Sequence, residues 1–197
     1  MARIVVSEFL TLDGVMQAPG GEDEDRSGGF EYGGWQGPYF DDVGGKAVTE
    51  MMARTDGLLL GRKTYEIFAG YWPTATEVGD IADRMNTLPK YVVSTTLDEP
   101  LAWQNSTLIK DDVPNRLAKL KEQPGGDLLV FGSGGLAQTL MEHDLIDEYR
   151  LMIHPIVLGS GKRLFRDGNP KAGLRLVDSF VSSTGTFIAT YVPERPK

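Results

Sequence analysis

Asp56-Gly57-Leu58-Leu59-Leu60-Gly61-Arg62-Lys63-Thr64-Tyr65-Glu66 reads as strand, turn and helix start. An apolar run bounded by glycines is a buried strand, and the change of register after Gly61, through Arg62, Lys63 and Thr64 into Tyr65, Ile67 and Phe68, opens a helix. Such a helix start presents unpaired backbone N–H groups and the positive end of the helix dipole. Gly61 lets the chain approach a ligand closely, and Arg62 and Lys63 add charge, so the stretch outlines a phosphate seat. The alternative is a plain turn whose basic residues are solvated.

Working outward, Lys46 to Arg54 places Val48, Met51 and Met52 at helical spacing, with Glu50 on the same helix. Tyr71-Trp72-Pro73 ends the helix after Gly61, and Val78 to Asn86 forms a further short one. Lys90 to Ser94 is a strand that runs into the hydroxyl cluster Ser94, Thr95 and Thr96. Ser106 to Ile109 and Val113 to Glu122 read as strand and helix. Asp127 to Phe131 then runs into Gly132-Ser133-Gly134-Gly135 and a helix from Leu136 to about His143, a second unit of strand, glycine turn and helix. Arg3 to Leu10, rich in β-branched residues, is a first and central strand that ends in the turn Thr11-Leu12-Asp13-Gly14. Residues 13 to 45 form a long glycine-rich stretch with Asp13, Met16, Phe30, Tyr32, Trp35, Tyr39 and Phe40. A loop of that length is functional or disordered, and its aromatics favour a lid over a surface insertion.

After Ile146 strands follow one another without helices. Glu148 to Leu158 reads as one long strand in which Pro155 requires an edge or bulge position. Leu174 to Phe180 and Thr186 to Val192 follow, joined at Ser182-Ser183-Thr184-Gly185. The whole is a single α/β domain over residues 1–197, with a mainly parallel central sheet and an antiparallel C-terminal part.

Composition narrows the function. The chain has 197 residues, no cysteine and a formal net charge of −8, with a sequence pI near 4.8. These values argue against general affinity for nucleic acid or anionic membrane and exclude thiolate chemistry. His143 and His154 are the only histidines, which leaves no metal-ligand spacing. No apolar run approaches a membrane span, and a soluble, cytoplasmic protein is expected. Neither Gly61-Arg62-Lys63-Thr64 nor Gly161-Lys162-Arg163 fits the phosphate loop of nucleotide hydrolases. Gly132-x-Gly134-x-x-Ala137 meets the looser dinucleotide fingerprint but lacks the acid ~20 residues on. What remains is two glycine turns before helix starts and a hydroxyl-rich strand end. In one parallel sheet these lie at the carboxyl ends of strands, and a dinucleotide suits that pattern.

Leu60 to Glu66, Val92-Val93-Ser94, Val130 to Leu136, Ile146 to Leu151 and Pro155 to Lys162 resemble, in order and over nearly the whole chain, the dihydrofolate reductase-like superfamily. Thr11-Leu12-Asp13-Gly14 and Pro155 to Lys162 are most similar to the branch containing the reductase domain of the bacterial riboflavin-pathway deaminase-reductase. The resemblance implies a three-layer α/β/α fold and NADPH as cofactor. By that resemblance Gly61, Arg62, Lys63 and Thr64 hold the pyrophosphate and the 2′-phosphate side, and Ser94 and Thr95 meet the adenosine end. Gly132, Ser133, Gly134, Gly135 and Leu136 flank the pyrophosphate and the nicotinamide. Gly132-Ser133 falls where the folate enzymes have a cis Gly-Gly peptide, and serine is a departure from it.

A second departure concerns the acid. The pterin-binding carboxylate of folate reductases falls near Lys46 or Ala47, where no acid stands; Glu50 and Asp13 are the available catalytic substitutes, and an exposed helix acid is the alternative for Glu50. A true dihydrofolate reductase is therefore disfavoured. Trp35, Phe40 and Phe68 are expected to wall a substrate cleft. Lys162, with Arg163 and Arg166, is the only second basic cluster that suits a substrate phosphate. The expected function is NADPH-dependent hydride transfer to a pterin or pyrimidine. The alternatives are the 5-amino-6-(5-phosphoribosylamino)uracil reductase of riboflavin biosynthesis and a nucleotide-binding regulatory module without turnover. A homodimer through the C-terminal strands is expected.

Overall fold

Side chains alternate along a strand, so Ile4, Val6 and Leu10 of β1 (Arg3–Thr11) face one side of the sheet and Val5 the other. That alternation sets the layers of the computed structural model, which describes residues 1–76 and 79–194. On the first side Ile4 and Val6 join Leu59 of β2 (Thr55–Gly61) and Leu128 and Val130 of β5 (Asp127–Phe131). They pack under Leu117 of α4 (Val113–Glu122) and Leu136, Ala137 and Leu140 of α5 (Gly134–Glu142). On the second side Val5, Leu58, Leu60 and Val92 of β3 (Lys90–Val93) pack under Met51 and Met52 of α1 (Asp42–Ala53), Tyr65 of α2 (Arg62–Tyr71) and Met85 of α3 (Gly79–Thr87). Two helices cover one face and three the other, the three-layer α/β/α arrangement expected.

The sheet is completed by β4 (Ser106–Ile109), β6 (Glu148–His154), β7 (Gly173–Val181) and β8 (Phe187–Glu194), in the order β4-β3-β2-β5-β1-β6-β8-β7. β1 to β6 pair in parallel, and β8 and β7 are antiparallel additions. At the amino ends of β1, β5 and β6, Arg3 and Arg150 bind Asp127 and Glu148 in a four-membered ion network, far from the carboxyl ends where ligands of such sheets sit.

Two boundaries that bear on the site differ from the sequence reading. β6 ends at His154, before Pro155, and is an interior strand between β1 and β8, because Pro155 has no N–H for a ladder and the chain turns there with Ile156 N–H donating to His154 O at 2.8 Å. The exposed edge is β7 instead, with Leu176, Val177, Phe180 and Val181 in solvent. Secondly, α1 starts at Asp42, since Asp41 Oδ1 caps it by accepting from Gly44 N–H at 3.0 Å. The loop before it is therefore shorter, and it carries a small core of its own, Val15, Ala18, Phe30 and Trp35. Val78, read as a helix start, lies outside the described residues, among which α3 runs from Gly79. No helix among the described residues is long and apolar enough to cross a membrane.

Candidate functional site

The two glycine turns meet. Gly61, at the end of β2, donates its N–H to Ser133 Oγ at 3.0 Å, and Ser133 donates its own N–H to Thr64 Oγ1 at 2.8 Å. Turns 72 and 69 residues apart in sequence thus lock each other by reciprocal bonds, one from each side. Gly132 has φ of +53°, and a Cβ there would stand 3.0 Å from Thr64 Oγ1, so both the backbone and the close approach favour glycine. Ser133 follows in the left-handed region at φ 50°. Among the described residues only Glu99-Pro100 is cis, so the Gly132-Ser133 bond is trans.

Between these turns lies a cleft of about 450 Å³, bounded by the first turns of α2 and α5 and roofed by the loop after β1. Gly61, Arg62, Lys63 and Thr64 line one side and Gly132, Ser133, Gly134, Gly135 and Leu136 the other; Met16, Ile67 and Val93 give apolar floor and Lys162 and Arg166 a basic rim. Arg62, Lys63, Lys162 and Arg166 stand against Glu24 and Asp25, four cations to two carboxylates in a chain of net charge −8. The two helix N-termini add to that local positive field. Arg166 reaches over the second turn, its Nη2 3.0 Å from where a Cβ of Gly134 would lie.

Asp25 holds the roof down. Its carboxylate takes Lys63 Nζ at 2.9 Å and Lys162 Nζ at 2.5 Å, and Ser27 Oγ donates to it at 2.6 Å. Burial alone raises the Asp25 carboxyl, but the hydrogen bonds from Lys162, Ser27 and Lys63 outweigh it and hold the group well below the usual range. Gln17 ties the same loop to both neighbours, donating to Asp25 O at 3.0 Å and accepting from Lys162 N–H at 3.1 Å. Among the described residues Arg62 makes only an exposed pair with Glu66 one turn on, at 3.2 Å. A pair of that kind yields readily to a competing anion.

Several residues expected at the site are elsewhere. Glu50 is 65% exposed and 3.9 Å from Lys46, because the phase of α1 buries Met51 and Met52 and turns Glu50 outward; a catalytic role for it has no support. Asp13 clamps the turn after β1. It accepts from Thr11 Oγ1 at 2.6 Å, Leu158 N–H at 3.2 Å and Gly159 N–H at 2.9 Å, and pairs with Arg163 at 3.3 Å. Burial raises its carboxyl, but those bonds bring it down to about 2, a saturated anion with no proton to give. Trp35 is buried, its Nε1 donating to Gln17 O at 2.8 Å and its ring 5.2 Å from His154, so it supports the loop from beneath. Phe40 stands edge-on to Phe9 at 6.4 Å, and Phe68 packs on Phe131 at 6.5 Å and Trp72 at 6.0 Å; neither lines the cleft. Ser94 Oγ accepts from Thr96 and Leu97 N–H groups at 3.2 and 3.1 Å, which closes its own turn, and Thr95 is exposed. Of the substrate residues only Lys162 reaches the cleft.

Glu8, Glu24 and Asp25 went unread in the sequence. Glu24 and Asp25 lie in an acidic loop with no periodicity to mark them, whereas Glu8 carries a local signal: it continues the inward series Ile4, Val6, Leu10 as the one charged member. Burial pushes its carboxyl well above the usual range; the Gly132 amide opposes that and the charge of Glu24 adds to it.

Comparison with known proteins agrees with this geometry. The Bacillus subtilis (strain 168) protein YyaP is 29% identical over 196 residues, covering 96% of this chain and 94% of that one. A Shewanella sp. PV-4 protein assigned by its name to riboflavin biosynthesis superposes with a TM-score of 0.75 at 23% identity, over 98% of this chain and 99% of the other. Dihydrofolate reductase from Enterococcus faecalis, complexed with NADP(H), shares the fold at a TM-score of 0.62 and 12% identity, over 98% and 97% of the two chains. The RibD C-terminal domain model matches residues 2–188, and the chain belongs to that family of reductase domains.

Proposed function

We propose that the chain is an NADPH-dependent reductase that delivers hydride to a small nitrogen heterocycle of pterin or pyrimidine type. The observation that carries this reading is the pair of interlocked turns, each opening a helix, with four cations around one cleft. A dinucleotide needs that combination: N–H groups and helix dipoles for a pyrophosphate, and fixed cations for a further phosphate. In this reading Gly132, Gly134, Gly135 and Leu136 with Thr64 flank the pyrophosphate, and Arg62 and Lys63 meet the 2′-phosphate. Gly61 and Ser133 act mainly through each other, since the Gly61 N–H and Ser133 Oγ are already paired. When bound, the cofactor supplies the hydride; the protein binds it, orients it and excludes water. Assembly as a homodimer through β7, and a cytoplasmic location, belong to the same proposal.

The riboflavin-pathway pyrimidine reductase is the specific alternative, favoured by Lys162 and Arg166 on the cleft rim, where a sugar phosphate would find cations. NADPH oxidation against a panel of pterins, pyrimidines with and without a ribose phosphate, and flavins tests both. Turnover of a phosphoribosyl pyrimidine alone selects the alternative. NADPH binding without turnover of any heterocycle would replace the reductase reading by a regulatory nucleotide module.

A further inference from the structure

Glu8 sits in β1, between β5 and β6, and the register that sets Ser7 opposite Phe131 brings it beside Gly132. The residue is 4% exposed, and among the described residues its Oε1 has no hydrogen-bond partner and no Lys or Arg pairs with it. Burying a carboxyl without a cation or full hydrogen bonding costs several kcal/mol. A strand that needed only packing at this position would carry another Val or Leu. The cost falls beside the cleft: Met16 and Leu136 belong to the core on Glu8's face and also line the cleft, as does Gly132.

We propose that Glu8, buried behind the Gly132 end of this cleft, is its specificity-determining carboxyl and that it takes a neutral amide edge of the ligand, a C=O beside an N–H. Nicotinamide carries such an edge as its carboxamide, and pterins and pyrimidines carry one in the ring, so the inference rests on the reductase reading. The chemistry follows from the surroundings. Burial among apolar side chains, with Glu24 nearby and no cation, pushes this carboxyl toward its neutral form against the Gly132 amide, and in that form it has an O–H donor and a C=O acceptor, Oε1 being the oxygen without a partner. An amide edge matches both at once. An anionic group would be repelled by Glu24, and a cationic one would require Glu8 to ionise against its burial. Glu8 lies behind the cleft lining rather than in it, and a ligand would reach it by displacing Met16, which is unbranched and rotatable, beside Gly132, which has no side chain.

The test compares wild type, Glu8→Leu and Glu8→Gln in melting temperature and in affinity for NADPH, for 2′-phospho-ADP-ribose, which lacks nicotinamide, and for a soluble pterin. Glu8→Leu should raise the melting temperature, because it removes a buried carboxyl with one unpartnered oxygen, and weaken the amide-bearing ligand about tenfold or more. Glu8→Gln, which keeps a donor and an acceptor but cannot ionise, should recover most of that loss. Loss with NADPH but not with 2′-phospho-ADP-ribose assigns the edge to nicotinamide; loss with the pterin alone assigns it to the heterocycle. A Glu8→Leu protein that binds every ligand as wild type does would overturn the role of Glu8 and leave the reductase reading standing. So would infrared absorption showing Glu8 ionised at neutral pH in the free protein. Wild type that binds neither NADPH nor the pterin would overturn both.

Discussion

Asp25→Asn should tighten NADPH binding while loosening the loop that Asp25 holds. In the free protein the Asp25 carboxylate occupies both Lys63 at 2.9 Å and Lys162 at 2.5 Å, so a phosphate entering the cleft must share or displace it. A carboxylate ~6 Å from a phosphate of charge about −2 is repelled by roughly 1–3 kcal/mol at effective dielectric values between 40 and 80. Removing that repulsion should raise NADPH affinity about tenfold at low salt. The gain should shrink as added salt screens the pair. The two ion pairs lost run to half-exposed lysines and contribute about 1 kcal/mol together. For a domain of this size that lowers the melting temperature by about 2–4 °C. Calorimetric titration at two ionic strengths, with a thermal melt of the same samples, reads all three effects. Weaker NADPH binding by Asp25→Asn would refute the reasoning, since it would make Asp25 a ligand contact and Lys63 and Lys162 something other than its competitors.

Ser133→Ala removes the acceptor of the Gly61 N–H and should cost about 1 kcal/mol of stability. It should weaken NADPH several-fold by unlocking the turns, and unchanged affinity at lowered stability would show the lock to be structural only. His154 is buried with Nδ1 3.1 Å from Leu10 O, and burial holds its pKa below the ordinary 6.5. The unfolded chain then binds more protons below about pH 6.5, so stability should fall as pH drops through that range, and His154→Phe should flatten this limb in a series of thermal melts. β7 exposes Leu176, Val177, Phe180 and Val181 on an edge strand, so sedimentation should find a dimer at micromolar concentration and Phe180→Glu should weaken it; a wild-type monomer would contradict this.

The fold was legible because its signals are local. Leu58 to Leu60 and Leu128 to Phe131 are short apolar runs closed by glycine, and each glycine marks the switch from strand to helix wherever the run ends up in the sheet. The cleft was legible for the same reason: both turns follow parallel strands, so both arrive at one end of the sheet. What could not be read is what depends on phase or on distant partners. Four residues of extra helix at the start of α1 decide nothing locally, yet Met51 and Met52 rather than Glu50 take the inner face. Trp35 sits in a glycine-rich stretch that looks open, and only its contact with Val15, Ala18 and Phe30 shows that the loop buries it. The Thr64–Ser133 bond and the Asp25–Lys162 pair span 69 and 137 residues, beyond any pattern of spacing. Pro155 was readable but misapplied: it ends β6 instead of marking an edge.

The central claim is that the cations at the start of α2 select a phosphorylated dinucleotide, and equilibrium binding of NADPH and NADH to wild type and to Arg62→Ala/Lys63→Ala tests it most directly. The account predicts that wild type prefers NADPH at least tenfold, about 1.4 kcal/mol, and that the double variant loses the preference while still binding NADH. Equal affinities for the two cofactors in the wild-type protein would contradict it.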